Sequence, residues 1–315
     1  PATVTAIGGM MLPALKKKGY SAPWSCCLLA TSGTLGAIIP PSLPLIVYGV
    51  LSGTSISGLF AAAIVPGLLL SLFLILYNIY YCKKQGIKGT DKITFRQFLH
   101  STKEAFWALI LPIIILGGIY AGIFTPTESA AVAVLVSFMI GLFIYKELKF
   151  KDLSKLLLRS AVSSASIMLI ITTAAAFANI LSRHNVPQNL AVFIVNNAAT
   201  PAVFIATFSL LIIVIGMIMS VTPAQIILTP ILVAVILGLG LSPIYFGILF
   251  TLLIQIGSIT PPFGVDLFIA CGILRIGVNE VFKRVWPFVA IYVLVYLVIA
   301  LFPPFSTFIP TLLGL

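Results

Sequence analysis

The sequence predicts an all-α polytopic membrane protein, an inverted repeat with re-entrant hairpins and two broken helices. Three observations carry that prediction. Of the 315 residues 60% are hydrophobic and only 8% charged, with a mean hydropathy of +1.20, far outside the range of a soluble domain. Apolar runs long enough for about 20 helical residues recur along the chain, whereas a membrane barrel shows short alternating segments. A glycine-to-proline interruption occurs twice, Gly36-Ala37-Ile38-Ile39-Pro40-Pro41 and Gly257-Ser258-Ile259-Thr260-Pro261-Pro262, at an offset of 221.

The elements follow from the apolar runs and the basic residues between them. Pro1 to Leu15 is apolar and ends at Lys16, Lys17 and Lys18, which the positive-inside rule places in the cytoplasm. A long segment from Ser21 to about Leu51 crosses outward, and about Gly58 to Tyr81 returns to Lys83, Lys84, Lys88, Lys92, Arg96 and Lys103. Spans at about Ala105 to Phe124 and Ser129 to Tyr145 go out and back to Lys146, Lys149, Lys151, Lys155 and Arg159. A helix from about Lys155 to Ser182 runs outward to Arg183, where Pro187 breaks it. Residues 202–240, interrupted by Ser220-Val221-Thr222-Pro223 and without Lys or Arg, suit a re-entrant hairpin. Ser242 to Leu274 crosses inward to Arg275, Lys283 and Arg284, and about Val285 to Phe302 crosses out again. Seventeen of the eighteen basic residues therefore lie in cytoplasmic stretches, so the net charge of +11 reports topology and not nucleic-acid binding.

The two Pro-Pro breaks are chemically the most informative feature. Proline has no amide hydrogen, so Pro40 and Pro41 deprive the carbonyls of Gly36 and Ala37 of helical donors, and Pro261 and Pro262 do the same to Gly257 and Ser258. Unpaired carbonyls within a membrane are costly unless something binds them, and the half-helix before each break presents the negative end of its dipole. A sodium ion satisfies such oxygens. By the charge map the first break runs outward and the second inward, which is the pattern of an inverted repeat with its sites near the midplane. The expected organisation is residues 1–81 as the later part of the first repeat, 82–154 as a cytoplasmic connector with two spans, and 155–315 as the second repeat. Pro1 is no natural initiator and no signal peptide precedes it, so the reading expects further chain on the N-terminal side.

Other residues are read more plainly. Cys26, Cys27, Cys82 and Cys271 form no CxxC pair and have no histidine at ligand spacing, which gives neither a transition-metal site nor a disulfide framework. Glu128, after Thr125-Pro126-Thr127, complements a helix N-terminus. Asp266 belongs either to a polar substrate cavity or to a structural hydrogen bond. Arg183 is either a guanidinium that attracts an anion or a snorkelling anchor at a helix end. An enzyme would need paired acids, a nucleophile with a base, or clustered ligands, and no such set is present in the sequence, so no catalytic residue is assigned.

The sequence resembles a family, the DctM-like large membrane subunit of tripartite ATP-independent periplasmic (TRAP) transporters. The resemblance rests on Pro1-Ala-Thr with Met11-Leu-Pro-Ala, on GTLGAIIPPSLPLI at 33–46, on GIFTPTESAAVAV at 122–134 and on GSITPPFG at 257–264, and it covers essentially the whole chain. It implies an elevator-type secondary transporter in the bacterial inner membrane, coupled to Na+, without another cofactor. It also implies a small TRAP membrane subunit and a periplasmic substrate-binding protein as partners. Its solutes would be organic acids such as dicarboxylates, oxo acids or sialic acid. The first sodium site would use the backbone of Gly36, Ala37, Ile39 and Pro40. The second would use Ser220, Val221 and Thr222 with Gly257 and Thr260. Ser220 departs from the acidic residue many members carry there. Arg183, Ser42 and Asp266 are the expected substrate contacts. The alternative is a structural membrane subunit or a passive channel.

Overall fold

The computed structural model describes residues 2–87, 94–186, 189, 192 and 201–315. Pro1, Lys88, Lys92 and the expected break at Pro187 lie outside them. The described residues are helical with no strand, in keeping with the predicted class. Six helices are long and apolar enough to cross a membrane, and the chain is a multi-pass membrane protein. Two compact units make up the chain, Pro1–Lys88 with Ala174–Leu315, and Gly89–Thr173.

The first unit opens with α1 (Ala2–Lys17), α2 (Ala22–Thr34), a 3-10 turn (Leu35–Ala37), α3 (Leu43–Ser52) and α4 (Ile56–Gln85). In the second unit lie α5 (Phe95–Tyr120), α6 (Pro126–Met139, extended by a π turn, Ile140–Ile144) and most of α7 (Phe150–Arg183). The first unit resumes within α7 and continues with α8 (Pro201–Ile218), α9 (Val221–Gly238), α10 (Pro243–Ser258), α11 (Val265–Leu274), α12 (Val278–Leu301) and α13 (Pro304–Leu312).

Both Pro-Pro segments are interrupted, as the sequence predicts. At about 1.5 Å per residue neither α2, of 13 residues, nor α10, of 16, reaches across a hydrocarbon core of about 30 Å unaided. Each needs the ten-residue helix beyond its break, α3 or α11. The two passages match in detail. Ser21 precedes α2 and Ser242 precedes α10, at the same offset of 221, with a proline in the first turn of each, where its missing amide hydrogen costs nothing. The left-handed residues closing α3 and α11, Gly53 and Arg275, and the internal prolines of α4 and α12, Pro66 and Pro287, recur at offsets of 222 and 221.

Packing is exchanged between the two passages. α1 lies on α2 and on α11, while α9 lies on α10 and on α3. α10 is the central helix: every residue from Tyr245 to Ser258 is buried, which an all-round apolar sequence permits. Its approach to α8 is set by two glycines. A Cβ on Gly257 would stand 2.6 Å from the Cα of Gly216, and one on Gly216 would stand 2.6 Å from the carbonyl oxygen of Ile254. Elsewhere an aromatic cluster joins α2, α4 and α12. Trp24 stacks on Tyr81 with ring centroids 3.4 Å apart, and Tyr77 and Phe288 lie edge to face 5.1 Å apart.

In the second unit Glu128 has the predicted role. Its carboxylate accepts the Thr125 amide at 2.8 Å while the Thr125 hydroxyl accepts the Glu128 amide at 3.3 Å, a reciprocal capping box that starts α6. The Ser129 hydroxyl donates to Ile115 O at 3.0 Å and ties α6 to α5.

Several boundaries differ from the sequence reading. α5 and α12 begin at Phe95 and Val278, earlier than the apolar runs, because charged helix formers such as Lys103, Glu104, Lys283 and Arg284 extend them. The turn between α8 and α9 falls at Met219-Ser220, and Val221 to Pro223 form the first turn of α9, where proline is tolerated. α13 follows the expected last span, started by Pro303 and Pro304.

Candidate functional site

Where the first break meets the α8–α9 turn and the α10–α11 passage, the first unit forms a half-open cavity of about 290 Å³. Thr3 of α1, Gly33 and Thr34 at the end of α2, and Gly36 and Ala37 of the 3-10 turn form one wall. Leu43 and Pro44 at the start of α3, and Ser220, Val221 and Thr222 at the start of α9, contribute two helix N-termini. Gln255 of α10 and Asp266 of α11 complete the lining. No lysine or arginine is among these described lining residues.

Local chemistry explains the placement of each group. The Ile39 amide donates to Leu35 O at 2.7 Å and Pro40 has no amide hydrogen, so Gly36 O loses both helical donors. Glycine is required here, since a Cβ on Gly36 would lie 2.7 Å from the Thr3 hydroxyl. Ala37 O is satisfied differently. The Ser42 hydroxyl donates to it at 2.6 Å and accepts the Leu45 amide at 3.4 Å, closing the break and capping α3 with one side chain. At the second break, Ser258 O faces two prolines at its i+3 and i+4 positions, and Phe263 stands at the offset of 221 from Ser42, without a hydroxyl.

Asp266 is 1% exposed, and Ser258 Oγ donates to its Oδ2 at 3.0 Å. Asp266 thus lines the cavity and accepts a structural hydrogen bond from the end of α10. The Thr34 and Tyr292 hydroxyls each lie 2.7 Å from Thr31 O and adjoin one another, and with one hydrogen apiece one of them donates to Thr31 O while the other donates either to that oxygen or to its neighbouring hydroxyl. These bonds hold the end of α2 against α12.

Of the residues singled out from sequence, the cavity gathers Gly36, Ala37, Ser220, Val221, Thr222 and Asp266. The others lie off its walls. Ser42 is fully buried and engaged within the break. Ile39 packs on α4, where a Cβ on Gly67 would meet it at 2.7 Å, and Pro40 lies beside it. Gly257 serves the approach to α8, its carbonyl accepting the Thr260 amide at 3.0 Å, and the Thr260 hydroxyl turns back to Ile256 O at 2.5 Å. Arg183 is exposed, and its Nε donates to Asn179 one turn earlier at 2.9 Å. Thr3, Thr34 and Gln255 were not singled out from sequence. A signal was present for two of them, since Thr34 and Gln255 are polar residues in apolar runs at the same offset of 221 as the breaks.

The family model described as tripartite ATP-independent periplasmic transporter, DctM component, matches residues 1–305. The chain is 38% identical over 309 residues to the isethionate TRAP transporter permease protein DctMQ of Oleidesulfovibrio alaskensis, covering 98% of this chain and 49% of that protein. It is 35% identical over 329 residues to the C4-dicarboxylate TRAP transporter large permease protein DctM of Rhodobacter capsulatus, covering 100% of this chain and 75% of that protein. With the ectoine TRAP transporter large permease protein TeaC of Halomonas elongata the identity is 34% over 308 residues, 98% of this chain and 72% of the relative. The chain thus spans about half the length of the first of these relatives and about three quarters of the other two.

Proposed function

The chain belongs to the DctM component family of tripartite ATP-independent periplasmic transporters, and from that membership we propose that it forms the solute pathway of a sodium-coupled importer of a small organic acid. The family is one of transporter permeases and not of enzymes. The solute is delivered by a periplasmic binding protein, a small membrane subunit completes the transporter, and the bacterial inner membrane is its location. Relatives named for isethionate, C4-dicarboxylates, sialic acid and ectoine support an acid solute of small size.

One observation carries the reading: a single cavity brings together a broken helix end and two helix N-termini. The end of α2, with Gly36 O lacking a helical donor, suits a cation, and the starts of α3 and α9 suit a carboxylate. Sodium therefore sits toward Gly36, and the acid group toward Leu43–Pro44 and Ser220–Thr222. The backbone features recurring at 221–222 residues and the exchanged packing of α1 and α9 support an inverted repeat. The halves are residues 1–81 and 155–315, and the hairpins and broken helices move the solute across the membrane as an elevator does.

The test is uptake into proteoliposomes that contain the full-length protein with its small subunit and binding protein. Labelled succinate, isethionate, sialic acid and ectoine are offered under an inward sodium gradient and under a matched potassium gradient. Uptake of at least one acid that needs both sodium and the binding protein is expected. Flux that is indifferent to both would leave a passive channel.

A further inference from the structure

The second unit carries a surface that the transport reading leaves unused. A hydrocarbon core of about 30 Å takes about 20 helical residues, and α5 has 26 and α7 has 34, so both have length to spare. Their charged first turns are that excess, and the two are built alike. At helical spacing Phe95, Phe98 and Leu99 fall on one face of α5, and Arg96 and Lys103 fall on the other. Phe150, Leu153 and Leu157 share one face of α7, with Lys151, Lys155 and Arg159 on the face opposite. The leading rings are open, Phe95 being 76% exposed and Phe150 71%. The chain brings both starts to one end of the unit. The Tyr145 hydroxyl donates to Glu104 O at 2.7 Å. Lys146 then turns the chain in left-handed geometry and the Leu148 amide donates to Gly141 O at 3.2 Å, so that α7 begins within five residues of that contact. From Phe95 to Glu104 and from Tyr145 to Arg159 the sequence has seven lysines and arginines and three acids, and one of these, Glu104, stands 3.7 Å from His100 Nδ1.

We propose that these two helix starts form a docking surface for acidic phospholipid, their apolar faces entering the acyl region and their basic faces meeting phosphate. An interfacial helix is held by two things at once, buried apolar area and attraction to anionic headgroups, and both are present on each start. A basic cluster directly beside membrane-spanning helices also sits where an acidic leaflet concentrates its field. A nucleic acid or an acidic protein would engage the lysines but leave Phe95 and Phe150 in water. The surface depends on the membrane location of the chain alone, and on neither its solute nor its coupling ion.

The purified full-length protein is titrated in detergent with short-chain phosphatidylglycerol and with short-chain phosphatidylcholine, and apparent affinities are read from thermal stabilisation. The parent should prefer phosphatidylglycerol, and the preference should shrink as salt is added. Lys155→Gln should lower it about fivefold, the worth of one basic residue near a charged leaflet, and Lys151→Gln, Lys155→Gln and Arg159→Gln together should remove it. Lys151→Arg with Lys155→Arg, which keeps the charge, should bind as the parent does. Phe150→Ser with Leu157→Ser should weaken both lipids alike. Lys16→Gln, Lys17→Gln and Lys18→Gln together remove the same charge from another stretch and should leave the preference in place. Equal affinity for the two lipids in the parent, a preference kept by the α7 triple variant, unchanged affinities in the Phe150 and Leu157 double variant, or a preference lost equally in the Lys16 to Lys18 control overturns the inference. So does loss of the small membrane subunit from the α7 triple variant on co-purification with the lipid preference unchanged, which would give the surface to a protein.

Discussion

Replacing Ser42 by alanine isolates what holds the first break together. The hydroxyl is fully buried, donates to Ala37 O at 2.6 Å and accepts the Leu45 amide at 3.4 Å. Removing it leaves Ala37 O without a donor, because residues 40 and 41 are prolines, and an unsatisfied buried carbonyl costs about 1–3 kcal/mol. Loss of the N-cap of α3 adds about 1 kcal/mol. The sum is about 2–4 kcal/mol, far above the roughly 0.5 kcal/mol of an ordinary surface change. Denaturant titration of Ser42→Ala, Ser42→Thr and the exposed control Thr311→Ala in detergent measures it, with Ser42→Thr recovering part of the loss. If Ser42→Ala matched the control in stability and lost only solute affinity, the hydroxyl would be a solute contact and the capping argument would fail.

Two further outcomes are expected. Gly257→Ala forces α8 and α10 apart, because its Cβ would lie 2.6 Å from the Gly216 Cα where carbon contacts normally exceed about 3.5 Å, and should destabilise by about 1–3 kcal/mol. Gly272→Ala, with nothing within 4 Å, should not, and equal melting of the two variants would refute the close-approach reading. Arg183→Lys and Arg183→Ala separate an anion contact in some transport state from a helix-end anchor: partial and near-complete loss of uptake respectively favour the contact, and unchanged kinetics in both favour the anchor.

How much was legible depended on what each feature needs to be seen. The class and the breaks were legible because composition and proline act locally: Pro40, Pro41, Pro261 and Pro262 end a helix wherever they stand. The gathering of Gly36, Ser220–Thr222 and Asp266 around one cavity was not legible, because the resemblance divided them between two sodium sites and a substrate contact, and only the packing of α9 and α11 shows them together. The capping role of Ser42 was not legible, since a hydroxyl after a break serves the chain or a ligand equally well until its partner is known. Gly257 was read through its carbonyl, whereas its small size serves a neighbouring helix 41 residues earlier in the chain, a contact that no local pattern announces. Asp266 lay open between two roles because one carboxylate oxygen can accept a structural hydrogen bond while the group faces a cavity.

The exchanged packing also has a consequence for biosynthesis. α2 reaches its partners only in the last part of the chain: Cys26 Sγ donates to Ala270 O across 244 residues, and Thr34 meets Tyr292 across 258. At about 5–20 residues per second, the ribosome needs about 12–50 s to supply them. For that interval α2 and the break beyond it stand in the bilayer without the helices that enclose them, and the long-range contacts that complete the cavity form last. Variants that weaken α11 or α12 should therefore show their defect as poor accumulation in the membrane before they show it as poor transport.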